Sequence, residues 1–371
     1  MTESGLNMSR RIRRTPYTDR AEAHGVRGFS VVNHMLLPKA YAPSVEEDYW
    51  HLRTHVQIWD VAVQRQLQIT GPDAARLVQL MTPRDLRRAR IGQCQYVPLI
   101  DEHAGMLNDP VLLKLADDKF WLSIADSDIL LWAKGLAVGM GLDVDITEPD
   151  VSPLAIQGPK AEALMTDLFG SAIAALGHFE YGIFDVLGTS QVIARSGYSK
   201  QGGYEIYLKG GHLGADLWDL IWQAGQGYEI TPGCPNLIER IEGGLMSYGN
   251  EFTRANNPLE CGFAPLCHLG NEVEYIGRTA LQNIAANGPV QMLRGIKFGG
   301  GRTLPCGKPF PITARDGQPL GQITSGIFSP RLDCNVGMSM IAAGHWDIGT
   351  ELLVHTPDGI ARDGVIAPLP F

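Results

Sequence analysis

The chain has 371 residues, with 31 Lys+Arg against 40 Asp+Glu. The resulting net charge of −9 argues against nucleic acid or an anionic membrane surface as partner. Its composition, 44% hydrophobic and 19% charged, is that of a folded globular protein, and no apolar run is long enough to cross a bilayer. The length predicts two or three domains. Six cysteines without a C-x-x-C pair or metal-ligand spacing predict reduced thiols, a cytoplasmic protein and no metal centre.

The first 23 residues read as an irregular arm. It contains S-R-R-I-R-R at 9–14, but the residues from Tyr17 to Gly28 are polar, so the arginines do not read as an export signal. A strand is predicted over 29–37, ended by Pro38. A helix follows over 44–56, with Ser44 as N-cap and Glu46 and Glu47 in its first turn. Alternation predicts a strand over 61–70, and Gly71-Pro72-Asp73 then turns into a helix containing Leu77, Val78 and Leu80. Strands are expected at 95–100, 111–116 and 120–125, with a loop over 101–110, and a helix at 129–140. The same grammar recurs at 151–169: a strand, the turn Gly158-Pro159, then a helix. This suggests a duplicated α+β unit.

Residues 194–208 read A-R-S-G-Y-S-K-Q-G-G-Y-E-I-Y-L, two β-leaning runs around a polar, glycine-bearing tip, which is a hairpin pattern. Glu205 stands between Tyr204 and Ile206. A carboxylate in such a strand is costly if buried unpaired, so it faces either water or a ligand rich in N–H donors. Alternation places Tyr207 on its face. Asn236 begins a predicted helix, with Glu239 as capping-box partner, an apolar stripe through Leu245, and Gly249 as its stop. A boundary falls within 283–295, and the Gly- and Pro-rich remainder from Ile296 reads as a small β-barrel.

The hairpin resembles the T-R-x-G-Y-x-x-x-x-G-[FY]-E segment of the aminomethyltransferase superfamily, typified by the glycine-cleavage T-protein. Further stretches match in the same order: G-M-L-N-D at 105–109, C-P-N-L-I-E-R-I-E-G-G-L at 234–245, N-P-L-E-C-G with Y-I-G-R within 257–278, and G-Q-I-T-S-G-I-F-S-P at 321–330. Within the superfamily the chain is most similar to the dimethylsulfoniopropionate demethylases. That likeness is carried by S-R-R-I-R-R-T-P-Y, V-N-H-M-L-L-P at 32–38, G-Y-S-K-Q-G-G and G-C-P-N-L-I-E-R. Gln201-Gly202-Gly203 stand where T-proteins carry an acidic residue and then Gly.

The resemblance implies an α+β fold: a T-protein-like multidomain cloverleaf around a central folate channel, with a C-terminal β-barrel domain. The expected limits are 1–284 for the folate-binding region, with subdomains near 1–56 plus 150–284 and 57–149, and 285–371 for the barrel. The implied reaction moves a methyl group from the sulfonium of dimethylsulfoniopropionate to tetrahydrofolate. Methylamine donors such as dimethylglycine, a glycine-derived aminomethyl group, or folate binding without catalysis remain as alternatives. By the same resemblance Asp109 is the catalytic residue; its plainer reading is a turn carboxylate in Asn108-Asp109-Pro110. Glu205, Tyr207 and Arg240 are implied to bind the folate, and Tyr198 and Lys200 the sulfonium substrate. Glu260 and Gly262 are implied to line the channel. A homodimer is the candidate assembly.

Overall fold

In the computed structural model, which describes residues 9–371, the segment 194–208 contributes Ala194 and residues 203–208 to a six-stranded sheet, with 195–202 outside its strands. Its order is Tyr181–Val186, Thr189–Ala194, Gly203–Lys209, Val151–Gln157, Gln57–Asp60 and Thr231–Gly233; only the last pair is parallel. This sheet belongs to one of two compact units, made of residues up to Gln66, 149–197 and 201–234. Tyr204, Ile206 and Leu208 enter a core with Leu154, Ile156 and Ile193, closed by Leu164, Trp218 and Ile221 from helices Ala161–Phe169 and Gly214–Gly225. With a side-chain period of two, that packing turns Glu205 and Tyr207 to the opposite face.

Three departures from the sequence reading occur in this unit; in one, the strand expected over 61–70 begins only at Gln66. The arm contains a helix, Thr18–Ala23, where an irregular segment was expected. Its periodicity is too short to read, and tertiary anchors fix it. Tyr17 is fully buried and donates its hydroxyl to Ser152 O at 2.9 Å, while Arg20 forks onto Asp219 at 2.7 and 2.5 Å. Residues 1–8 of the arm lie outside the described residues. The strand expected at 29–37 is instead a hairpin, Gly28–Val32 with Met35–Ala40. Asn33 and His34 both take positive φ, 49° and 62°, which reverses the chain in two residues. Pro38 therefore sits inside the second strand rather than ending it. Helix Val45–Thr54 follows the expected cap, with Ser44 Oγ accepting from Glu47 N at 3.1 Å.

The second unit comprises 67–148, 198–200 and 235–371. Its five-stranded sheet runs Asp145–Thr147, Gln66–Thr70, Lys119–Ser123, Val111–Ala116, Cys94–Tyr96, backed by helices Ala74–Leu80 and Ile129–Met140. The expected loop at 101–110 contains a strand, Met106–Asn108, paired with Leu99–Ile100. Helix Leu237–Glu242 is capped by Asn236 Oδ1, which accepts from Ile238 N and Glu239 N. It stops at Gly243, not Gly249, because Gly244 turns into the left-handed region at φ 62°. The chain ends in a closed barrel of six strands ordered Gln291–Phe298, Cys334–Ala342, Pro319–Ser329, Phe310–Thr313, Glu351–His355, Ala361–Ala367, cored by Ile296, Phe298, Ile323 and Leu352.

The two strand–turn–helix passages seen in the sequence share their geometry. Gly71 and Gly158 have φ of 122° and 120°, and each carbonyl accepts from the first helical amide at 3.0 Å. A Cβ at either glycine would stand 2.7 Å from Asp143 O or 2.3 Å from His55 O, so both positions demand glycine.

Candidate functional site

Asp109 is held in place by the residue before it. Asn108 is fully buried; its Nδ2 donates to Ala125 O at 3.1 Å and Ser127 Oγ at 2.8 Å, and its Oδ1 accepts from Ala125 N at 2.9 Å and Asp109 N at 3.0 Å. This clamp joins the turn to the end of strand Lys119–Ser123. The Asp109 carboxylate is buried, with Oδ2 accepting the hydroxyl of Tyr96. Its Oδ1 is also buried and has no partner among the described residues. Burial raises the Asp109 pKa to about 7; Tyr96 pulls it down and the charge of Glu251 adds to the rise. A buried, half-satisfied carboxylate titrating near neutrality is expensive for a turn, and suits a group that meets a ligand.

Tyr198 and Arg240 lie in the same unit. The Tyr198 hydroxyl donates to Met246 O at 2.5 Å and Leu245 O at 3.1 Å. Its pKa is raised, chiefly by burial, and it senses both Arg240 and Asp109. The Arg240 guanidinium is taken up by protein: Nη1 reaches Glu251 Oε2 at 2.7 Å and Leu245 O at 3.1 Å, and Nη2 reaches Ser325 Oγ at 2.5 Å. Ser325 donates in turn to Glu251 Oε1. Burial opposes the Arg240 charge, but Glu251 and Tyr198 outweigh it and raise its pKa. Arg240 therefore stands as the hub of a buried network joining its helix to barrel strand Pro319–Ser329. Lys200 is exposed at φ 57°, and its Cγ lies 2.8 Å from where a Gly243 Cβ would stand. Glu260 is buried and accepts from Gln291 Nε2 at 3.2 Å, and Gly262 has φ 78°.

Glu205 and Tyr207 belong to the other unit. Both are buried on the sheet face away from the core. Glu205 pairs across the strands with Ala155 and Ala194, so its direct neighbours on both adjoining strands are small. Its Oε2 accepts the Ser196 hydroxyl, and Gln64 also hydrogen bonds to it. Burial raises its pKa against these two donors. Gln157 fixes the approach of Ser196, its Nε2 donating to Ser196 O at 3.1 Å and Tyr204 O at 3.4 Å. A Cβ at Gly197 or Gly203 would collide with that amide, at 2.1 and 2.6 Å.

Sequence reasoning missed Tyr96, the clamp role of Asn108, Ser196, Gln64, Glu251 and Ser325. Ser196 had only a weak signal: it stands within the expected hairpin at 194–208, two residues past the end of strand Thr189–Ala194. Tyr96 and Ser325 had none, since their partners are distant in the chain. Among the described residues no group of three His, Cys, Asp or Glu side chains could hold a metal ion.

Two family descriptions cover the chain: the GCVT N-terminal domain over residues 17–271 and the glycine cleavage T-protein C-terminal barrel domain over 293–371. The chain belongs to the glycine-cleavage T-protein family. It is 49% identical over 352 residues, 95% of each chain, to a Ruegeria pomeroyi protein named dimethylsulfoniopropionate demethylase DmdA. It is 30% identical to an aminomethyltransferase of Symbiobacterium thermophilum, with 86% of each chain covered. The crystal structure of the glycine cleavage system aminomethyltransferase T from Bartonella henselae has the same fold. The TM-score is 0.86 at 23% identity, covering 97% of this chain and 98% of that one.

Proposed function

We propose that this protein demethylates dimethylsulfoniopropionate with tetrahydrofolate as methyl acceptor, giving methylthiopropionate and 5-methyltetrahydrofolate. The carrying observation is the 49% identity to DmdA across nearly the whole of both chains. Tetrahydrofolate supplies a nucleophilic ring amine, and the sulfonium charge already activates the methyl group. The C–S bond breaks with its electron pair staying on sulfur, a C–N bond forms, and the resulting ammonium releases its N–H proton to solvent to give neutral 5-methyltetrahydrofolate.

The chain's own residues have three tasks in this reading. Glu205 accepts the paired N–H groups of the aminopyrimidine edge, a demand that a buried carboxylate bounded by alanines and hydroxyl or amide donors can meet. Tyr207 lies beside it on the same face. Asp109 stabilises the positive charge that passes from sulfur to the accepting amine, and its Oδ1 is the oxygen left for that purpose. Tyr198 offers an aromatic surface to the sulfonium, and Lys200 a charge to the substrate. Arg240 acts through the network it holds. A cytoplasmic location and a homodimer belong to the same proposal.

The test is purified protein with tetrahydrofolate and a panel of sulfonium and methylamine donors, read by mass spectrometry. The expected result is 5-methyltetrahydrofolate and methylthiopropionate from the sulfonium, undiminished by EDTA. Turnover of dimethylglycine or an aminomethyl donor but not of the sulfonium would overturn the substrate. Folate binding with no donor turned over would overturn the activity.

A further inference from the structure

Arg84 follows helix Ala74–Leu80 and is half-buried. Its root is fixed: its N–H donates to Thr82 Oγ1 at 3.2 Å, and its carbonyl accepts from Gln79 Nε2 at 2.9 Å. One end of its guanidinium is fixed too, with Nη1 donating to Tyr96 O at 2.6 Å. What it lacks is a carboxylate. The adjacent Asp85 is engaged by Arg87, at 2.9 and 2.8 Å, and no ion pair to Arg84 occurs among the described residues. Burial lowers its pKa with no acidic group countering. A partly desolvated guanidinium without a counter-charge is costly, and the rest of its fork remains for a bidentate acceptor.

Arg240 and Arg254, in the same unit, fit that task less well. Arg240 is already paired with Glu251 inside the protein, and Arg254 is 73% exposed with Asp101 at 3.9 Å. Arg84 is also tied directly to the candidate catalytic group. The carbonyl of Tyr96 holds Arg84, while the hydroxyl of the same residue donates to Asp109. The two functional groups are thus separated by one tyrosine.

We propose that Arg84 anchors a carboxylate of a reactant whose reacting end lies at Asp109. The inference rests on the function proposed above, in which both reactants carry such a group: the propionate of the sulfonium and the glutamate of the folate. The chemistry of recognition is shared, a planar fork meeting a carboxylate.

The experiment is calorimetry on wild type, Arg84→Gln and Arg84→Lys with each reactant alone. The four probes are dimethylsulfoniopropionate, ethyldimethylsulfonium, tetrahydrofolate and the amide of tetrahydropteroic acid; the second and fourth carry no carboxylate. Arg84→Gln is expected to bind one parent about tenfold to a hundredfold more weakly, and its carboxylate-free analogue as wild type does. Arg84→Lys keeps the charge without the fork and loses less, against the same parent. The parent affected identifies the source of the carboxylate. Equal losses for parent and analogue, or no loss, overturn the inference and leave the function standing. If the variants do not fold, wild type decides: affinities indifferent to both carboxylates overturn it. Wild type that binds neither parent overturns function and inference together.

Discussion

Replacing Asp109 by Asn separates a ligand-meeting carboxylate from a turn residue, and the structure gives opposite signs for stability and rate. The side chain keeps its shape, and the amide oxygen can still accept the Tyr96 hydroxyl. What changes is charge. The folded-state pKa stands at about 7 against an ordinary 3.8, raised first by burial. A group raised in this way contributes stability that is complete below the unfolded value and is lost as pH rises through the folded one. Each pH unit between the two values weakens the folded wild type by ~1.4 kcal/mol, so going from about pH 5 to about pH 8 removes roughly 2–3 kcal/mol. Asn cannot ionise and escapes that loss. Melting temperatures of wild type and Asp109→Asn should therefore diverge in the variant's favour from about pH 5 to about pH 8. The single-turnover rate should move the other way, falling by ~10²–10³ because the charge that stabilises the cationic amine is gone. In wild type, kcat/KM should rise with pH through about 7 as the carboxylate ionises, a limb that Asp109→Asn lacks. A wild-type rate in the folded variant would refute the catalytic role. A stability difference that stays constant with pH would refute the account of its environment.

Two further outcomes follow from the buried networks. Glu205→Gln should weaken tetrahydrofolate binding by roughly 1.5–3 kcal/mol, the worth of a charge-assisted hydrogen bond, while leaving the fold intact because a neutral amide relieves the burial of charge; unchanged affinity by calorimetry would remove the residue from the folate site. Glu251→Gln should destabilise the protein by roughly 3–5 kcal/mol, since it strands the Arg240 charge among groups that are almost fully buried. Pairing it with Arg240→Met should restore part of that loss, and a single variant melting like wild type would show that the pair contributes little.

The elements that carry several candidate residues were legible because they stand in short motifs with strong local grammar. Alternation through Tyr204, Glu205, Ile206 and Tyr207 sorted core from site face, and the sheet obeys it. Asn236 capped its helix as read, and helices Ile129–Met140 and Ala161–Phe169 fell where periodicity placed them. Single-residue conformations were not legible. The strand reading passed over Asn33 and His34, which take positive φ, and the helix ends at Gly243 because Gly244 enters the left-handed region before Gly249 is reached.

The sequence by itself determined the hairpin pattern around Glu205, the terminal barrel and the repeated glycine-proline turns, because each is a property of neighbouring residues and their periodicity, while the α+β class and the choice of Asp109 and Glu205 as candidates are what the resemblance carried by its motifs implies. The tertiary structure decided what surrounds them. It brought Tyr96 to one oxygen of Asp109 and left the other without a partner among the described residues, set Ser196 and Gln64 on Glu205, and closed Arg240 with Glu251 and Ser325. Those contacts join residues far apart in the chain, Arg240 and Ser325 by 85 positions and Gln64 and Glu205 by 141. Hydrogen bonding and desolvation act over a few ångströms in space, not along the chain, so the pKa of a carboxylate and the occupancy of a guanidinium exist only once the chain has folded.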